Sequence, residues 1–184
     1  MDAARDGPTA WLFFTPREAQ TVEAMMARLF PSDDLGPGAI EARAVVYLDH
    51  ALAGAERDLQ PRYRAALKTL DSLARARTGN SFSECGAATQ DHLLADLEAD
   101  RAPEFGEPGA APAFFEMVRG HTLEGLFCDP VHGGNHDLLG WKLLGYPGPR
   151  PGHRAEDQRL DAQISPLRVF TAADYPLRPE DEWR

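Results

Sequence analysis

Cysteine is nearly absent. The 184 residues hold two, Cys85 and Cys128, too few for a disulfide-stapled scaffold. Long hydrophobic runs are missing too. None approaches the roughly 20 apolar residues that span a bilayer, so the expectation is no membrane segment in this chain. Positive charge is in short supply, with 19 Lys and Arg against 29 Asp and Glu and a formal net charge of -10. A surface so acidic repels phosphate backbones and anionic lipid, which argues against nucleic acid as a partner and against peripheral membrane binding. The opening MDAARDGPTAWLFFTP has neither a basic n-region nor a twin-arginine pair, and its apolar run WLFF is far shorter than a signal h-region. The expected location is cytoplasmic, or periplasmic if the chain is exported with a partner carrying the signal. Also missing are any alternation of strand type and any internal repeat. No strand precedes a G-x-G-x-x-G turn, so neither a flavin nor a nicotinamide site is expected, and no cofactor in this chain.

What is present is helical periodicity cut by proline and glycine. Thr15 can cap a helix, Pro16 suits the first helical position, and Glu18 completes a capping box. Ala19, Val22, Met26 and Leu29 then recur at helical spacing until Pro31. A second helix is expected from about Ile40 to Asp58, on the stripe Ile40, Ala44, Leu48, Leu52 and Ala55. Pro61 opens a third, with Tyr63, Ala66, Leu67, Leu70 and Ala74 inward and Gly79 as its C-terminal cap. A fourth follows Thr89, with Leu93, Leu94 and Leu97 facing one way and Asp91, Asp96 and Glu98 facing water. A fifth runs from about Pro112 to Phe127. Within it, Gly120 and Gly125 weaken the helix and suggest close approach by a neighbour. A short sixth covers Leu138 to Leu144. The fold class expected is all-α: a compact bundle of about five or six helices over 11–148, a flexible N-terminus over 1–10, and an extended Pro/Gly-rich C-terminal tail over 149–184.

The stretch FCDPVHGGNHDLLGWKLLGYPG, Phe127 to Gly148, concentrates the chemistry. Cys128, His132 and His136 are spaced C-x3-H-x3-H beside Asp129, and zinc accepts such ligands, but a Gly-Gly turn interrupts the helical spacing and a fourth ligand is needed. Cys128 with His121, His132 or His136 is the pairing that a thiolate nucleophile needs. These residues define the alternative reading, a stand-alone metal- or thiol-dependent hydrolase. A packed or disulfide-bonded Cys128 is the plainer reading, because cysteine is among the most buried residue types. Asp33 and Asp34, in a Pro/Gly loop, and His50 and His92, on acidic-flanked helices, read as solvent-facing. Met25 and Met26 read as core.

Structurally, Asp129-Pro130 forces an exit from the helix. Gly133 and Gly134 permit left-handed backbone, and Asn135 can bond nearby backbone and start the next helix. Trp141 and Tyr146 add amphipathic surface of the kind favoured at interfaces. Such a loop suits a docking surface formed by Cys128, Asp129, Pro130, Gly133, Gly134, Asn135, Trp141 and Tyr146, with no catalytic residue. Cys85, at a helix end, reads as buried and inert. A Cys85–Cys128 bridge depends on the separation of the two, and the sequence leaves it open.

The same stretch closely resembles the signature of the gluconate 2-dehydrogenase subunit 3 family. The resemblance rests on Asp129-Pro130, Gly133-Gly134-Asn135, Gly140-Trp141 and Tyr146-Pro147-Gly148, and on FFTPREAQTVEAMMARLFPSDD, which looks like the family's opening helix. It covers roughly residues 11 to 150. The resemblance implies a non-catalytic small subunit, chaperone-like toward a large subunit of the glucose-methanol-choline oxidoreductase type. That partner binds FAD and oxidises a sugar, sugar acid or polyol, and some complexes add a cytochrome c subunit. It also makes Cys128 a candidate for a bond to the large subunit. A free-standing binding protein is the third reading.

Overall fold

The structure, a computed structural model, describes residues 10–149, 155, 158–162 and 169–175. The expectation for the N-terminus falls outside these residues except at position 10, and most of the expected tail lies outside them as well.

Among the described residues the chain forms six α-helices and no strand: α1 (Pro16–Leu29), α2 (Ala44–Ala53), α3 (Gln60–Thr78), α4 (Ala87–Glu98), α5 (Ala110–Phe127) and α6 (Leu139–Leu144). The fold class is all-α. No helix among these residues is long and apolar enough to cross a membrane. The first helix begins as its sequence dictates. Thr15 accepts from the Glu18 amide, Glu18 reaches back to the Thr15 amide at 2.8 Å, and Pro16 occupies the first turn. At the far end of α3, Gly79 adopts φ 83°, which spares a side chain the left-handed penalty.

Helix α5 packs against α1, α2 and α4, and the core condenses around it. Its inward residues include Phe114, Val118 and Leu126. Tyr63 of α3 is fully buried, with Phe14 and Phe114 edge-on at 6.2 and 5.9 Å. Its hydroxyl lies 2.7 Å from Nδ1 of the buried His121, so the polar tip of a large apolar ring is satisfied inside the core. Between α1 and α4, Arg28 grips Asp91 through two nitrogens at 2.7 and 3.0 Å. That pair is exposed and contributes about 1 kcal/mol or less.

The second helix is shorter than its stripe predicts. Arg43 sits in the left-handed region at φ 55° and precedes the first helical residue, Ala44. Upstream, the Gly38 amide is shared between Ser32 Oγ and Glu41 Oε2, and Ala39 donates to Phe30 O, which folds 38–43 into turns. Gly54 ends the helix, so Ile40 and Ala55 are exposed rather than part of the buried face. α4 starts three residues and α5 about two residues earlier than periodicity suggests. Of the two glycines expected to allow close approach, Gly125 does so, since a Cβ there would meet Ala44. Gly120 faces open space.

One contact that organises the entry to the bundle is invisible to periodicity. Asp49 of α2 is 1% exposed, and its carboxylate accepts the amides of Leu12 (2.7 Å), Phe13 (3.0 Å) and Phe14 (2.9 Å). Three backbone donors compensate a buried charge and pin the segment that delivers Phe14 to the core and Thr15 to its cap. Asp49→Ala therefore leaves three amides without their acceptor. It is expected to destabilise the chain by about 3 kcal/mol in urea unfolding, with Asp49→Asn intermediate. A change within about 0.5 kcal/mol would mean that the N-terminal segment is held by packing alone.

Candidate functional site

Any α-helix leaves its last carbonyls without intrahelical donors, and those of α5 point into the protein. The loop after it supplies the donors. The Cys128 amide bonds Glu124 O at 2.7 Å. The Asn135 amide bonds Gly125 O at 2.7 Å. The Trp141 indole Nε1 donates to Phe127 O at 2.8 Å, and Asn135 Nδ2 donates to Cys128 O at 2.8 Å. The remaining polar atom of Asn135, Oδ1, accepts from the amides of Gly140 (2.9 Å) and Trp141 (3.4 Å), at the start of α6. Asn135 is fully buried and joins the end of one helix to the beginning of the next. Its backbone is left-handed, at φ 45°, a conformation asparagine tolerates better than most residues.

Two glycines make room for this cap. A Cβ on Gly134 would sink into Gly125 O, and one on Gly140 would sink into Leu126 O. Gly133, at φ 95°, is the residue in this turn that needs left-handed backbone. Gly134 is there for space. Asp129 closes the short 3-10 turn Pro130–His132 by accepting from Val131 N at 3.0 Å, while its other oxygen takes Ala172 N at 2.7 Å.

Beside the cap, a groove of about 660 Å³ opens between α2 and the end of α5. Tyr47, His50 and Ala51 of α2 face Glu124 and Phe127 of α5, and the loop contributes Cys128, Val131 and His132. The Tyr47 hydroxyl donates to Glu124 Oε2 at 2.9 Å. Burial, then the bond to and charge of Glu124, hold the Tyr47 proton well above its ordinary range, so the phenol is a permanent donor. His121 Nε2 stands 4.0 Å from the same carboxylate oxygen and links it to Tyr63 in the core.

Cys128 is half-buried, and burial pushes its thiol up to about 11, with the Asp129 charge adding to the shift and the Gly134 amide opposing it. The group is a protonated thiol at neutral pH, and the thiolate is the form that attacks. His132 is exposed at the groove. His136 is half-buried, its amide bonded to Ala42 O at 3.1 Å and its ring 3.5 Å from Asp137. Among the described residues no group of three or more His, Cys, Asp or Glu side chains is placed to hold a metal ion, so Cys128, His132 and His136 form no such set. Both cysteines are free, and Cys85 is half-buried rather than buried, with its thiol on Ser81 O at 3.3 Å.

Of the residues expected at a docking surface, Gly134, Asn135 and Trp141 are buried within this chain, Trp141 packing edge-on to Tyr146 at 5.0 Å. They build the loop. Cys128, Asp129, Pro130 and Gly133 are half-buried, and Tyr146 is exposed. Of the groove's α2 wall, His50 is expected only as solvent-facing, and Tyr47, Ala51 and Glu124 carry no sequence expectation. The signal for them is spacing: Tyr47 with His50 and Ala51, and Glu124 with Phe127, lie three to four apart and share a helix face.

Residues 16–148 match the family model described as gluconate 2-dehydrogenase subunit 3. No curated protein and no solved structure matches the chain.

Two outcomes follow from the site's geometry. Gly140→Ala drives a methyl into Leu126 O and is expected to cost about 2 kcal/mol or more of stability. Gly120→Ala, with open space around it, is expected to be neutral or stabilising by up to about 1 kcal/mol, and thermal melts of the pair compare them directly. In a Cys85→Ser background, the alkylation rate of Cys128 should still climb about tenfold per pH unit from about pH 8 to about pH 10, because burial pushes its thiol up to about 11. A rate that is half-maximal at about pH 8.5 and flat by about pH 10, as an ordinary thiol gives, would contradict the buried, protonated thiol.

Proposed function

This chain belongs to the gluconate 2-dehydrogenase subunit 3 family, and we propose that it is the non-catalytic small subunit that binds and stabilises the FAD-containing catalytic subunit of a sugar, sugar-acid or polyol dehydrogenase. The observation that carries this reading is how the stretch bearing the resemblance uses its polar groups. The side chains of Asn135 and Trp141 and one carboxylate oxygen of Asp129 bond the backbone of the same loop, of α5 or of α6. Cys128 is held as a thiol. A stretch committed to closing its own helix presents a rigid shape, and a rigid shape serves recognition at low entropic cost.

The FAD belongs to the partner in this reading. A dinucleotide pyrophosphate is commonly cradled by a strand, a Gly-rich turn and a helix N-terminus, and the described residues include no strand. The partner is a glucose-methanol-choline-type flavoprotein, joined in some complexes by a cytochrome c subunit. The small subunit acts on it as a chaperone-like cover, and the compartment of the pair is set by the partner.

Co-expression of the full chain with flavoproteins of that type from the same genome tests the proposal. One of them should co-purify with it as a complex that retains flavin and reduces a dye at the expense of a sugar or polyol. The same flavoprotein expressed without the chain should be less soluble or lose its flavin. A chain that captures none of them, with the flavoproteins equally soluble and active in its absence, overturns the assignment.

A further inference from the structure

We infer that the groove between α2 and the end of α5 receives a segment of the flavoprotein partner carrying a lysine or arginine beside an apolar side chain. The inference rests on the small-subunit reading above and names the surface and the chemistry of the contact.

Charge and shape both select that occupant. Among the described residues, the groove of about 660 Å³ is lined by two carboxylates, Glu56 and Glu124, by His50 and His132, and by no lysine or arginine. The chain as a whole carries -10, so an incoming cation is drawn in and an acidic segment is turned away. Glu124 is aimed beforehand. Tyr47 holds its Oε2 at 2.9 Å, so binding does not have to freeze a mobile carboxylate.

The groove is also apolar. Phe127 and Ala51 line it, and Val131 stands 59% exposed at it. A branched aliphatic side chain beside a groove gains by being covered. A cation alone leaves Val131 in water, and an apolar residue alone brings no positive charge to Glu56 and Glu124. A segment with both satisfies the two together, and the long stem of a lysine or arginine can lie along the apolar wall with its head at a carboxylate.

The test uses the full chain with its flavoprotein. A photoreactive benzophenone residue in place of Val131 should cross-link, in the complex, to a flavoprotein peptide with a lysine or arginine next to an apolar residue. Glu56→Lys should weaken capture at least tenfold with an unchanged melting temperature, and changing the cross-linked partner cation to Glu should restore it. Glu98→Lys, an exposed change on α4, should capture like the native chain. If the native chain captures its flavoprotein while position 131 gives no cross-link and Glu56→Lys binds normally, the groove assignment fails and the small-subunit reading stands. A cross-link to an acidic segment, or to a second copy of this chain, also overturns the groove. Capture of no flavoprotein by the native chain overturns both.

Discussion

The fold turns on how one helix is allowed to end. α5 is the element against which α1, α2 and α4 pack, and its C-terminus points inward, where water cannot serve its carbonyls. Asn135 meets that constraint. With its amide and its side chain it satisfies two carbonyls of the helix end and accepts from two amides of the next helix. Among uncharged side chains, asparagine combines an amide donor and a carbonyl acceptor on a one-carbon stem with tolerance for left-handed backbone; glutamine has a longer stem and serine lacks that tolerance. Gly134 and Gly140 follow from it, because the cap works only if the backbones touch. Trp141 follows as well, since its indole nitrogen takes the Phe127 carbonyl.

A second buried polar group does similar work at the other end of the chain. Asp49 gathers three consecutive amides of residues 12–14, as Asn135 gathers the carbonyls of α5. In both cases an irregular segment is fastened to a helix by a side chain that bonds backbone rather than another side chain. The apolar contacts between helices are tolerant of exchange, whereas these fastenings admit few replacements. The bundle is thus held by ordinary packing, while Asp49 and Asn135 fasten its irregular segments.

Most of the fold was legible in the sequence because helices announce themselves. The Thr15–Glu18 capping box, the Tyr63 to Ala74 stripe and the Gly79 terminus are local signals, and local signals can be read from a single chain. Helix α2 was overextended because its start is set by loop hydrogen bonds that periodicity does not weigh: Gly38 held by Ser32 and Glu41, Ala39 held by Phe30. The site was legible in part. Its glycines and Asn135 stood out as a rigid turn, but periodicity cannot say that Trp141 faces inward or that Gly134 is needed for space rather than for its angles. Asp49 carries no sequence expectation, since nothing local marks a residue whose partners lie 35 to 37 positions away. The groove was hidden for the same reason: half of it is on α2 and half on α5.

The cap on α5 also imposes an order of events. The donors that complete this helix lie beyond its last residue, at Asn135 and Trp141, with the whole loop between. While the chain is being synthesised, α5 has its full hydrophobic face before it has its terminus. Until Trp141 clears the ribosome, the central helix of the bundle has an open end, and a chain halted before that point has every core residue of the first five helices without the means to close them. Completion of the molecule is therefore gated by a segment that contributes little to the volume of its core.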